Sequence, residues 1–141
     1  MDIRQVTPRY HVSPQISVED VPALQAAGFK KVICNRPDAE VPPSHQSATI
    51  GAALAEAGIA YDVLPLTHQT MTPENVAKQA AFAAEGEGPV LAYCASGTRC
   101  TVVWAFGQVG KMSTDEILQT AANAGYDLAG LRPTLDALSQ Q

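Results

Sequence analysis

Six consecutive residues, Cys94-Ala95-Ser96-Gly97-Thr98-Arg99, carry the most distinctive chemistry in this chain. They follow a short apolar run at 89–93 and open, with almost no linker, into a helical stretch from about 99 to 109. A cysteine, four small residues and an arginine at a helix start make an anion cradle. Small side chains let successive backbone N–H groups turn inward as a nest. The helix N-terminus adds about half a positive charge. Arg99 supplies a planar fork suited to oxyanions. In that field the pKa of Cys94 is expected to fall from ~8.5 toward the ~3.5–7.5 of activated thiols. A thiolate nucleophile against an oxyanion pocket is a covalent-catalysis arrangement.

Other residues are candidates for supporting roles. Cys100 follows Arg99, and three readings stand open for it: a resolving thiol, a hydrogen-bond donor to the thiolate, or packing. Cys34 ends a β-branched run and reads as a core residue, although it faces the same sheet edge. Two side chains could act as a general acid. Asp38 lies in Asn35-Arg36-Pro37-Asp38, where it also fits a turn cap. His68 is the one titratable side chain of the loop at 65–71, and it also fits a solvated position. Arg36 either pairs with Asp38 or helps hold an anion. Asn35, Ser13 and Gln15 could line the site, and each also suits a turn. Trp104 reads as core, while His11 and His45 show no partner pattern.

These residues need a scaffold, and the punctuation of the chain predicts one. Short apolar strands are expected at 9–12, 31–34, 60–64 and 89–93. Helices alternate with them. One starts after Ser17, with Asp20 in the capping-box position, and ends at Gly28. Others cover about 45–57 and 72–85, the latter opened by Thr72-Pro73-Glu74. After the loop helix come one begun by Ser113 and Glu116 and closed by Gly125, and one over about 128–138 with Pro133 at its start or at a kink. Apolar strands without alternation predict burial on both faces. The expectation is a single α/β domain over residues 1–141: a mostly parallel sheet of about four strands, flanked by helices. Ligands in such folds bind at the carboxyl ends of strands, which selects the loops after Cys34, Leu64 and Tyr93.

Composition narrows the function further. The 141 residues include 46% hydrophobic and 16% charged side chains, with a net charge of −5. No basic cluster exceeds Lys30-Lys31, so neither nucleic acid nor an anionic membrane is an expected partner. The expected ligand is a small anion, held locally. Three cysteines make no disulfide framework, and no Cys-x-x-Cys or His-x-x-x-His pair supports a zinc site. No metal or cofactor is expected. The N-terminus lacks an apolar leader, and the most apolar segment, 90–106, is interrupted by Ser96, Gly97 and Arg99. A cytoplasmic, soluble protein is expected; the sequence is silent on its oligomeric state.

The strand–Cys–loop–Arg–helix unit resembles the phosphate-binding loop of protein tyrosine phosphatases and the active loop of rhodaneses. Across about 5–138 the chain resembles a bacterial family, the beta-lactamase-hydrolase-like, phosphatase-like domain, whose members carry phosphatase or sulfur-transferase labels. The resemblance rests on Val12-Ser13-Pro14-Gln15-Ile16-Ser17, Val32 through Asp38, Thr72-Pro73-Glu74, Leu91 through Arg99, and Gly125-Tyr126-Asp127-Leu128. It implies a tyrosine-phosphatase-like fold, with Cys94 as nucleophile and Arg99 as oxyanion ligand. Four residues separate Cys94 and Arg99, the rhodanese spacing; tyrosine phosphatases use five. Tyr93 and Cys100 stand where phosphatases usually place His and Ser or Thr. The loop at 65–71 lacks the usual Asp acid. These departures make a rhodanese-type sulfurtransferase, working through a Cys94 persulfide on thiosulfate or another persulfide donor, the first expectation. The alternative is a phosphatase working through a phosphocysteine on a phosphoester. The third is a non-catalytic anion or redox sensor.

Overall fold

Residues 1–140 are described here in a computed structural model. Strand β1 covers Arg4–Gln5, β2 Tyr10–Ser13, β3 Lys31–Cys34, β4 Ala60–Val63 and β5 Val90–Tyr93. Helices are α1 Val21–Ala26, α2 Ser47–Glu56, α3 Pro73–Ala84, α4 Thr98–Gly107, α5 Thr114–Asn123 and α6 Arg132–Ser139. The sheet has five strands in the order β1-β2-β5-β3-β4. Four are parallel, and β1 pairs antiparallel with β2 through Arg4↔Val12 and Gln5↔His11. The expected count of about four strands is thus one short. Both β1 residues are exposed, so the pairing comes from the turn at 6–9 and leaves no apolar pattern to read.

Burial explains the rest. In β3 and β5 every residue is buried, and successive side chains point to opposite faces. Ile33, Val90, Ala92 and Cys94 join one core with Val102, Ala105, Ile117 and Leu135 from α4, α5 and α6. Val32, Cys34, Leu91 and Tyr93 join another with Leu24, Ile50 and Leu54 from α1 and α2. Helices therefore cover both faces, and the two edge strands, β1 and β4, are the ones open to solvent.

The caps work largely as their chemistry predicts. Thr72 accepts from the Asn75 N–H at 3.2 Å and Pro73 opens α3. Ser113 and Glu116 form a reciprocal box at 3.1 and 3.2 Å. The segment after Ser17 is a 3-10 turn running into a short α1 rather than one continuous helix. A 3-10 turn likewise precedes α6, with Pro133 in its first turn. Among the described residues no helix is long and apolar enough to cross a membrane.

β5 returns to the gap between β2 and β3, and this places the next residue. The Cys94 N–H donates to the Ser13 carbonyl at 3.4 Å, and the Tyr93 carbonyl accepts from the Asn35 N–H at 2.8 Å. Both neighbouring strands thus hold the chain where the loop begins.

Candidate active site

The loop after β5 is compact because each residue in it is tied down. Gly97 adopts φ +93° as the residue that starts α4, a conformation that disfavours L side chains. A Cβ there would also collide with the Tyr126 hydroxyl, which donates to the Ser96 carbonyl at 3.0 Å. Thr101 Oγ1 donates to the Gly97 carbonyl at 2.8 Å. Ser96 and Thr98 join their hydroxyls at 3.0 Å.

Inside this cup lies the Cys94 sulfur, fully buried. It accepts the Gly97 N–H at 3.1 Å. Its pKa is lowered to about 5, foremost by a hydrogen bond from the Cys100 thiol. Burial opposes the shift, and the N–H groups of Cys100, Ser96 and Gly97 assist it. Cys94 is therefore a thiolate at neutral pH. Cys100 moves the other way: burial and the adjacent Cys94 charge push its thiol well above the usual range. Of the three readings for Cys100, donor to the thiolate is the one with which these two pKa directions agree.

Arg99 meets a partner that the sequence reading missed. Its Nη1 and Nη2 donate to the Glu40 carboxylate at 2.9 and 2.7 Å, and Nη1 also donates to the Leu66 carbonyl at 2.8 Å. Arg36 reaches the same carboxylate through Nε at 3.2 Å and donates to Gln15 Oε1 at 3.3 Å. Arg99, then Arg36, hold the Glu40 carboxyl below the usual range. A guanidinium has five donors. Three of Arg99's are used, and the Nε–H and one Nη2–H have no partner among the described residues. Those two share one edge of the plane, so Glu40 and Leu66 leave Arg99 a single bidentate face for an oxyanion.

The expected supporting residues separate. Arg36 pairs with Glu40 and not with Asp38. Asp38 is not near the cup as an acid: it accepts from the Ser47 N–H at 2.7 Å and the Ser47 hydroxyl at 3.0 Å, so it starts α2. Asn35 does not line the pocket either. Fully buried, it exchanges amide bonds with Gln79 at 2.8 and 2.9 Å and donates to the Leu64 carbonyl at 3.0 Å. Gln79 donates on to the Tyr10 hydroxyl at 3.1 Å, which donates to the Cys100 carbonyl at 2.8 Å. This chain braces the first turn of α4 from below. Cys34 donates to the Arg36 carbonyl at 3.3 Å. His68 does reach the site. It lines a cavity of about 360 Å³ with Glu40, Thr67, Gln69, Ala95, Ser96, Thr98 and Arg99. Among the described residues no group of three His, Cys, Asp or Glu side chains could hold a metal ion.

Glu40, Gln79, Leu66 and Tyr126 went unpredicted. A signal existed for Glu40: it stands four residues after Arg36 in a loop already placed at the carboxyl edge. Gln79 left none in the sequence; its burial, the one such position in α3, is visible only in the structure.

Known proteins resemble this chain in sequence and in fold. The model of the family described as beta-lactamase hydrolase-like protein, phosphatase-like domain, matches residues 2–111. A beta-lactamase hydrolase-like protein of Agrobacterium fabrum is 30% identical over 137 residues, 96% of this chain and 32% of that protein. The chain thus spans about a third of the curated relatives it matches. A solved structure of a phosphatase candidate from Neisseria meningitidis superposes with TM-score 0.88 and 34% identity, covering 98% of this chain and 99% of that one. PTPMT1 superposes with TM-score 0.75 at 15% identity, covering 98% and 94%, a likeness of fold alone.

Proposed function

We propose that this chain, which belongs to the family of the beta-lactamase hydrolase-like protein, phosphatase-like domain, is a cysteine-dependent phosphoester hydrolase. The observation that carries the reading is the pairing of a thiolate at Cys94 with one open bidentate edge on Arg99, five residues on. A phosphoryl group offers a phosphorus for the thiolate and several oxygens for the fork. The Cys94 sulfur attacks phosphorus, the ester oxygen departs, and a phosphocysteine forms. Arg99 and the loop N–H groups hold the oxygens as charge shifts onto them. Glu40 and Leu66 keep the guanidinium in place, which saves the cost of ordering it during the reaction. Water then cleaves the S–P bond and restores the thiolate.

The phosphatase branch replaces sulfur transfer as the first reading, because the matched family and the structural neighbours speak for it. The four-residue spacing of Cys94 and Arg99 still favours sulfur transfer as a second reading, since a tighter cup suits a persulfide sulfur. The test is direct. Incubation with p-nitrophenyl phosphate is expected to release phosphate and p-nitrophenol in equal amounts, and C94S to release neither. Gain of a thiol-removable sulfur from thiosulfate, with no ester turnover, would establish the second reading instead.

A further inference from the structure

Departure of the ester oxygen requires a proton for any leaving group that is a poor anion, and the residue expected to supply it in this site had no assignment. Glu40 is in the pocket but unsuited. Three donors from Arg99 and Arg36 claim its carboxylate and hold it ionised. Asp38 is committed to starting α2. His68 remains, and its position is built rather than incidental. It is the second residue of a turn closed by the Thr70 N–H on the Thr67 carbonyl at 3.1 Å and by the Thr67 N–H on Thr70 Oγ1 at 2.8 Å. Leu66, just before that turn, is fixed at both ends. Its N–H donates to the Asn35 carbonyl at 2.9 Å, and its carbonyl accepts from Arg99. The segment carrying the imidazole is therefore tied to the guanidinium that would hold the phosphoryl group.

Charged groups line both hollows that His68 borders. Glu40 and Arg99 line the cavity on one side with it. On the other side it lines a crevice with Asp127, among Met71, Val102 and Phe106. The Glu40 carboxylate is taken up by two arginines, and Asp127 Oδ1 accepts the Ala129 N–H at 3.0 Å, so neither carboxylate stands free to act as the acid.

We infer that His68 is the general acid of the phosphoester reaction, a reading that rests on the hydrolase function proposed above. As the Cys94–phosphorus bond forms and the phosphorus–oxygen bond breaks, the ester oxygen keeps the electron pair and takes the proton from the His68 imidazolium. The neutral imidazole then removes a proton from the water that attacks the phosphocysteine. That water's oxygen bonds to phosphorus, the sulfur leaves with its electrons, and the sum is ester plus water giving alcohol plus phosphate.

Leaving-group dependence tests this. An alkyl ester such as glycerol 2-phosphate needs the proton, whereas p-nitrophenolate leaves without help. H68N is expected to lower kcat/KM, which reports only the step in which the ester oxygen leaves, by about 10²–10⁴-fold on the alkyl ester, the usual contribution of general acid catalysis. On p-nitrophenyl phosphate the loss is expected to be far smaller. Equal losses on both esters, or none on either, would overturn the assignment while leaving the hydrolase reading intact. Failure of the unmodified protein to cleave either ester would overturn both.

Discussion

Cys94 and Cys34 follow or end adjacent parallel strands, lie at the same edge of the sheet and are both buried. They differ in what surrounds the sulfur. Cys94 accepts the Gly97 N–H, and the neighbouring Cys100 thiol is the foremost influence lowering its pKa. Cys34 instead donates, to the Arg36 carbonyl. The difference arises in the residues that follow. After Cys94 the chain turns through Gly97 into α4 and presents N–H groups. After Cys34 it continues extended through Asn35, hydrogen-bonded to Tyr93, and presents a carbonyl. Burial and residue type are shared, so what sets Cys94 apart is its surroundings: the Cys100 thiol foremost, then the N–H groups of the turn, lower its pKa.

The largest effect that could break this comparison is deletion of each sulfur. C94S is expected to reduce ester turnover to background, and C34S to leave kcat within the same order of magnitude; a comparable loss from C34S would contradict the division. Next in size is the oxyanion edge. R99A is expected to lower kcat by about 10²–10³-fold, in line with removal of a single oxyanion donor. E40Q keeps the shape but removes the charge that orients Arg99. It should lower kcat/KM by about tenfold, roughly one charge-assisted hydrogen bond. An E40Q protein as impaired as R99A would mean that Glu40 does more than position.

Smaller again is the contribution of Cys100. Cys94 must be ionised to react, and its lowered pKa means that activity holds above about 5 and falls as pH drops through that value. Cys100 provides the largest lowering influence, so C100A is expected to move the acid limb, and the pH midpoint of iodoacetamide labelling at Cys94, upward. An unmoved midpoint would assign Cys100 to packing.

How much of this could be read in advance depended on distance along the chain. The loop was legible because its determinants are consecutive: Cys94, Gly97 and Arg99 act through one turn of backbone. Strands β3 and β5 were legible because burial on both faces leaves unbroken apolar runs. The clamp on Arg99 was not, because Glu40 lies 59 residues away and is brought close only where the loop after β3 meets the start of α4 after β5. Asp38 and Glu40 are two residues apart in one short 3-10 turn. Their roles, helix start and arginine partner, follow from which way that turn faces. Nor could the sequence separate His68 in a cavity wall from His68 in open solvent, since its turn owes its position to Leu66.

The central claim is that Cys94 is the nucleophile of a phosphoryl transfer. Acid quenching of the protein during turnover of p-nitrophenyl phosphate, followed by intact-mass measurement and peptide mapping, tests it most directly. A single phosphoryl adduct on the peptide containing Cys94, absent in C94S, is the expected result. Turnover that proceeds with no adduct, or with the adduct on Cys34 or Cys100, would contradict it.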